Sequence, residues 1–223
     1  TNPDSKIGRA YAAFLDAATV EARGMAPIQP WLAKIRAADK AAMPALLAEA
    51  DRNGVGTLFA GFVGQDDKNP DVYIYTMFQS GIGLPDRDYY LKGDDRFAKL
   101  RDAYVKHLEA VLTMAGEANA GPRAAAIMAF ETDIARAHWD KNDSSDATKT
   151  YNKMTLAELS ALAPGFDFAA LVRGVGVKEN SLIVAQPSAF TGMASAYAAA
   201  PVQVLRDQLL VRSIDSFANV LPD

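Results

Sequence analysis

The sequence predicts a mainly α, multi-helix domain carrying a small β-hairpin. Three observations carry this. Phe97, Leu100, Tyr104, Leu108, Val111 and Leu112 form one apolar stripe of helical period, with Asp95–Lys99 and Asp102–Lys106 as i,i+4 pairs on the wet side. Two neighbouring runs, TLFAGFVG and VYIYTMFQ, have the β-branched and aromatic density of strands. Capping and breaking residues punctuate the rest at helix-length intervals.

Taken in order, Asp4 or Ser5 starts a first helix with Ile7, Tyr11, Phe14, Leu15 and Ala18 on one face. GMAPIQP breaks it, and Trp31 to Ala37 forms a short helix. Asp39 caps another, running to about Asp51, where Pro44 is tolerated near the first turn. The two strand-like runs follow, joined by QDDKNPD, a connection longer than the tightest hairpin turn. The long helix at 95–114 ends before Gly116, a C-cap glycine. Pro122 stands at the first position of the next helix, which reaches about Trp139 with Ile127, Phe130, Ile134 and His138 along a face.

DKNDSSDATKT reads as polar loop. Thr155 and Glu158 have capping-box spacing. PGFDFAALVRGVGV gives a short helix ending near Gly174, SLIVAQP a short strand, and Ser188–Ala199 and Val202–Val220 two closing helices.

With 223 residues, half of them hydrophobic and 22% charged, the chain can bury a core as one domain over 1–223. A net charge of −4 creates no field that would gather nucleic acid. No apolar run approaches the ~18 residues that span a membrane. The absence of cysteine removes disulfides, thiolate nucleophiles and cysteine zinc sites. The chain opens at Thr1 without methionine or signal peptide and stops after a helical pattern, so a segment of something longer is expected.

The chemistry-bearing residues are sparse. A zinc site of the HExxH kind needs two histidines one helical turn apart. Only His107 and His138 exist, 31 positions apart. His107 reads as a rim residue. His138 either finishes the apolar face beside Trp139 or pairs with Glu131, seven residues earlier. No G-x-S-x-G elbow or P-loop ending occurs, and QDDKNPD lacks the oxygen spacing of a calcium loop. A carboxylate hydrolase built on Glu131 and Asp133 is the weakest reading. No catalytic or metal residue is assigned.

SGIGLPDRDYYL, residues 80–91, is too polar for a core strand and too rich in breakers for a long helix. Gly81 and Gly83 permit positive φ, Pro85 fixes a turn, and Asp86 can cap a helical turn through RDYY. Gly83, Pro85, Arg87, Asp88 and Tyr89 are the candidates for a structural turn that docks on its neighbours, with ligand binding as the alternative.

LFAGFVGQDDKNPDVYIYTMFQSGIGLPDRDYYL resembles the neprilysin-like family of zinc metalloendopeptidases in the order of its blocks: strand, G-x-D-x-K-N, strand, G-L-P-x-R-D-Y-Y. ETDIARAHWD and TYNKMTLAELSALAPGFDF fit the same family, and SKIGRAYAAFLDAATVEARGMAPIQPW its bacterial branch. The loop before the YN block lacks the arginine that the resemblance implies. The resemblance further implies the N-terminal helical lid segment of a longer enzyme. Zinc would be held by the parent protein through ligands outside this chain. The partners would be the catalytic domain of the same polypeptide and peptide substrates. Export to the periplasm or cell envelope is also implied, as is an excised segment that exposes an apolar patch and is inactive alone. The competing expectation is a stand-alone, non-catalytic helical binding module.

Overall fold

The structure is a computed structural model that describes residues 5–222. Ser5 accepts the Gly8 N–H and opens α1 (Lys6–Leu15); the alternative start at Asp4 lies outside the described residues. The first helix is shorter than the stripe through Ala18 predicts. Asp16 takes the Thr19 N–H on its carboxylate at 3.1 Å, breaks the ladder and caps a separate α2 (Ala17–Arg23). A 3-10 turn leads into α3 (Gln29–Ala37). Asp39 closes a turn on the Ala42 N–H, after which α4 (Met43–Arg52) begins with Pro44 in its first turn.

The hairpin is real but its turn is tighter than expected. β1 (Phe59–Asp66) and β2 (Asn69–Gln79) are antiparallel and connect through Asp67 and Lys68 alone. The extra length of QDDKNPD goes into a register shift. Gln65 faces Tyr73 and Asp66 faces Asn69, so Pro70 to Val72 stand outside the ladder. Proline has no N–H to give a ladder, which is why the irregularity falls there.

The hairpin extends into a four-stranded mixed sheet of order β1-β2-β4-β3. β4 (Ser181–Val184) runs parallel to β2, with Met77 opposite Val184, and β3 (Lys153–Thr155) closes the edge antiparallel to β4. Three residues are too few for a period-two signal, so β3 is invisible to pattern.

Between the sheet's two halves come α5 (Asp88–Leu91), α6 (Asp95–Met114) and α7 (Ala120–Ala137). Pro122 is the third residue of α7, not the first, still within the turn whose N–H groups lack helical partners. The stretch read as polar loop holds α8 (Lys141–Ser145) and α9 (Ala147–Thr150). Asp140 and Asp146 cap them, accepting the N–H groups of Asp143 and Thr148 at 2.9 Å. Thr155 and Glu158 form the expected capping box of α10 (Leu156–Leu162). α11 (Phe168–Gly174), α12 (Pro187–Ala199) and α13 (Val202–Phe217) complete the helices, and Ala218–Val220 is a 3-10 turn.

The core is continuous from α3 to α13. At its centre Phe59 of β1 packs against Phe166, Phe168 and Phe190, each ring centroid 4.9 Å away, and so joins the sheet to α11 and α12. α6 packs on α7 through buried Leu108, Val111 and Leu112, and α13 crosses both. The α1 stripe does not join this core. Ile7, Tyr11, Phe14 and Leu15 are 57–74% exposed.

Candidate functional site

The loop from Ser80 to Arg87 is held by one buried carboxylate. Glu131 sits on the inner face of α7 between Ile127 and Ile134 and is fully buried. Its Oε2 accepts the Tyr90 hydroxyl at 2.7 Å and the Gly83 N–H at 3.1 Å. Its Oε1 accepts the Gln208 amide at 2.9 Å and the Tyr104 hydroxyl at 3.3 Å. Four donors from α5, α6, α13 and the loop thus replace the water that burial removes. Burial, reinforced by the Glu131 charge, pushes both tyrosine hydroxyls far above their ordinary pKa.

The glycines are dictated by this packing. Gly81 has φ +89°, and a Cβ there would lie 2.9 Å from Leu58 Cα. A Cβ on Gly83 would overlap the Tyr104 hydroxyl. The Gly81 carbonyl accepts from Gln208 at 2.8 Å, and the Ile82 carbonyl from Arg212 at 3.0 Å. Upstream, Gln79 exchanges two hydrogen bonds with the Trp139 backbone, 2.7 and 3.0 Å.

Past Gly83 the loop lines a cleft of about 700 Å³. Leu84, Pro85, Asp86, Arg87 and Asp88 form one wall; His138 to Asn142 form the other. Asp86 accepts the Asp88 N–H at 2.8 Å and pairs with Lys141 at 2.7 Å, but it is not the expected cap: the N-cap position of α5 falls on Arg87, which makes no side-chain capping bond. Burial works against its ionisation, but these partners outweigh it and hold its carboxyl below the usual range. Tyr89 meets Phe97 edge to face at 5.0 Å, and Arg101 of α6 donates to the Tyr89 and Lys92 carbonyls. All five turn candidates therefore lie together, but in two settings: Gly83 and Tyr89 face helices, while Pro85, Arg87 and Asp88 line the cleft.

His138 does not pair with Glu131. Its Nε2 lies 2.9 Å from the Ser80 carbonyl, to which Nε2–H donates. Burial, aided by the Arg87 charge and opposed by that bond, lowers its pKa. His107 is half exposed and lies 3.0 Å from Asp215. Asp133 is exposed and pairs with Arg136, facing away from Glu131, so the two carboxylates share no site. Among the described residues no three His, Cys, Asp or Glu side chains gather in a way that could hold a metal ion. The donors present do not fit zinc.

A second constellation ties the two sequence blocks together. Buried Asp66 of G-x-D-x-K-N accepts the Tyr151 hydroxyl and the Lys153 ammonium of YNKMT, each at 2.7 Å, and the Lys68 N–H at 3.0 Å. Lys68 lies over the Tyr151 ring, 4.1 Å from its centroid. The Lys153 and Tyr151 bonds hold the Asp66 carboxyl well below the usual carboxylate range. Sequence reasoning did not assign Gln79, Gln208 or Arg212. Glu131 had a readable signal, a carboxylate inside the apolar stripe of α7.

The described residues form a mainly helical body around a small mixed sheet and bring no metal-ligand cluster together. The chain belongs to peptidase family M13, a zinc-dependent family of metallopeptidases whose N-terminal model matches residues 1–223. It is 34% identical to the zinc metalloprotease Zmp1 of Mycobacterium tuberculosis. In the inhibitor complex of that enzyme the structural match reaches a TM-score of 0.90 over 97% of this chain and 34% of the other. It is 29% identical to Neprilysin-3 of Drosophila melanogaster over 135 residues, 57% of this chain and 17% of the relative. PepO from Lactobacillus rhamnosis, at 16% identity and a TM-score of 0.79, shares the fold. The chain thus spans about a fifth of the curated relatives it matches and a third of the Zmp1 chain. No helix among the described residues is long and apolar enough to cross a membrane.

Proposed function

We propose that residues 1–223 form one domain, the substrate-enclosing lid of a zinc metalloendopeptidase that hydrolyses peptides. Zinc is held, in this reading, by a catalytic domain of the same polypeptide. The lid limits substrate size, excludes water and positions the peptide, while proton transfer and metal chemistry belong to the other domain. The observation that carries the reading is the α1 stripe. Ile7, Tyr11, Phe14 and Leu15 form an amphipathic face that packs on nothing in the core, as expected of a surface made to meet another domain. The family's zinc dependence and the absence of a fitting donor set among the described residues support the division of labour. Export to the periplasm or cell envelope belongs to the same reading.

The test compares the full-length gene product with residues 1–223 alone. Full-length protein is expected to cleave peptides and carry one zinc; the segment is expected to do neither. Peptide turnover by the segment, or a gene encoding no HExxH helix, would favour the stand-alone binding module or another enzyme instead.

A further inference from the structure

We propose that the free edge of β1 is a strand-docking site for an extended, uncharged stretch of the peptide substrate, with the Tyr75 hydroxyl donating to it. The identity of the ligand rests on the peptidase reading; the edge stands on geometry of its own. β1 ends the sheet order β1-β2-β4-β3, so one of its sides pairs with no strand among the described residues. The hydrogen bonds of β2 fix which groups stand there. The Met77 carbonyl accepts the Ala185 N–H at 2.8 Å, and the Gln79 N–H donates to the Gln186 side chain at 3.0 Å. Met77 and Gln79 therefore turn their backbone polar groups away from β1. In an antiparallel ladder their partners Gly61 and Phe59 then turn theirs away from β2, and Val63, opposite Tyr75, follows at the same alternation. The N–H and C=O groups of Gly61 and Val63 thus face outward in the middle of the edge.

Sheet edges are normally blunted, because bare strand groups recruit other strands. The opposite edge of this sheet is: β3 has three residues and carries Lys153. β1 is eight residues long, and from Phe59 to Gln65 it holds no charge and no proline. Two of those residues, Gly61 and Gly64, are glycines, which in a strand interior mark sites where another backbone approaches closely. Phe62 and Val63 are 57% and 60% exposed on opposite faces of the strand, so each face of an added strand meets one apolar side chain.

A second observation points to a ligand independently. Tyr75 is only 7% exposed, yet its hydroxyl has no hydrogen-bond partner among the described residues. Buried phenols normally have one. The ring crosses from β2 over Gly61: a Cβ there would lie 2.4 Å from the hydroxyl oxygen and 2.8 Å from ring carbon Cε2. The hydroxyl is the leading atom and sits above the outward groups of Gly61. It is not sealed off, since Arg87 Nε is the one unpartnered side-chain polar atom without solvent access among the described residues. Burial, with the Asp51 charge nearby, pushes the Tyr75 pKa up to about 12, so the group remains a donor at neutral pH. An extended peptide matches all of this. It brings N–H and C=O groups at strand spacing to Gly61 and Val63, and an acceptor to Tyr75. The uncharged edge selects an uncharged stretch.

The test uses full-length protein and an uncharged peptide of about ten residues with blocked ends, long enough to span the edge. Steady-state kinetics gives kcat and KM. With zinc chelated so that the peptide stays whole, calorimetry gives its Kd and hydrogen exchange reads the amides of Gly61 and Val63. Tyr75→Phe deletes only the unpartnered hydroxyl. Val63→Pro removes an outward N–H and no ladder bond, so both variants should fold. Met114→Gln, an exposed change at the end of α6, is the control. The peptide is expected to slow exchange at Gly61 and Val63 about tenfold or more. Tyr75→Phe should weaken binding about two- to tenfold and Val63→Pro at least about tenfold, through KM with kcat unchanged, while Met114→Gln should alter neither. If peptides are cleaved but these amides gain no protection and neither variant matters, the docking edge is wrong and the peptidase reading survives. If nothing is cleaved but the peptide protects them and Tyr75→Phe weakens binding, the edge survives and the peptidase reading falls. Amides already slow without peptide overturn the proposal: slowing that grows with protein concentration gives the edge to a second copy, and slowing independent of it gives the edge to another segment of the same polypeptide.

Discussion

Tyr90 donates its hydroxyl hydrogen to the Glu131 carboxylate at 2.7 Å while accepting the N–H groups of Gly83 and Leu84 at 3.0 and 2.9 Å. One phenol oxygen thus satisfies a buried carboxylate on α7 and two backbone donors of the loop. Removing it leaves both sides short. Tyr90→Phe keeps the ring and its packing, so the loss isolates the hydroxyl. We expect destabilisation of about 1–3 kcal/mol, read as a lower urea midpoint with unchanged m. An unchanged midpoint would mean that water replaces the phenol and that the Glu131 hub is not what fixes the loop.

Gly83 is a second position, after Gly81, where the loop has no room for a side chain. A methyl group there collides with the Tyr104 hydroxyl, itself bonded to Glu131. Gly83→Ala should cost about 1–3 kcal/mol, as overpacking does elsewhere. Gly93→Ala, with nothing within 4 Å, is the control and should stay within about 0.5 kcal/mol of wild type. Thermal melts of the two variants compare them directly.

Much of this was legible from the residues. The apolar stripe of α6 and the capping box at Thr155 and Glu158 follow from local chemistry. The four-stranded sheet did not, because β3 has three residues and its pairing with β4 is not a local property. α8 and α9 were missed because their composition is that of a loop, and only the Asp140 and Asp146 caps betray them. The cleft was invisible for a further reason. Its two walls come from residues some fifty positions apart, and no local pattern brings them together.

Arg123 bridges Glu117 and Asp207, bonding Asp207 through Nε at 2.8 Å and through Nη2, and Glu117 through Nη1 at 2.7 Å. Asp207 is almost wholly buried; without Arg123 it keeps only the Gln203 amide. Arg123→Met should therefore destabilise by about 3–5 kcal/mol, the usual consequence of stranding one member of a buried pair. The double variant Arg123→Met with Asp207→Leu should recover most of it. Chemical denaturation of both measures the difference.

Acid should weaken the fold in two stages. The His138 pKa is lowered from 6.5 by burial. Below pH 6.5 the unfolded chain binds a proton that the folded one refuses, so stability falls from there until the folded pKa is passed. Asp86 and Glu117 act lower. Burial opposes their ionisation, yet Lys141 for the first and Arg36 with Arg123 for the second hold both pKa values below 3.8 and 4.5. Their contribution is complete above those values and is lost as pH drops through the depressed ones. A urea midpoint series from pH 8 to pH 3 should show both slopes, and His138→Gln should flatten only the first.

Phe14→Glu and Ile7→Glu touch no core residue, so residues 1–223 alone should melt within about 0.5 kcal/mol of wild type. In the full-length protein the same changes should loosen α1 from its partner surface, seen as faster proteolysis between α1 and α3. Equal cleavage in wild type and variants would argue that α1 meets no second domain.

The parallel pairing of β2 with β4 sets a schedule for synthesis. Met77 waits for Val184, about a hundred residues later in the chain. At ribosomal speeds of about 5–20 residues per second, that is a delay of roughly 5–20 s during which the β2 edge of a nascent hairpin, later covered by β4, stays bare. An unpaired edge of this kind is a template for misjoining with a sister chain, so a cell making this protein quickly would gain from a chaperone that shields nascent chains in that interval.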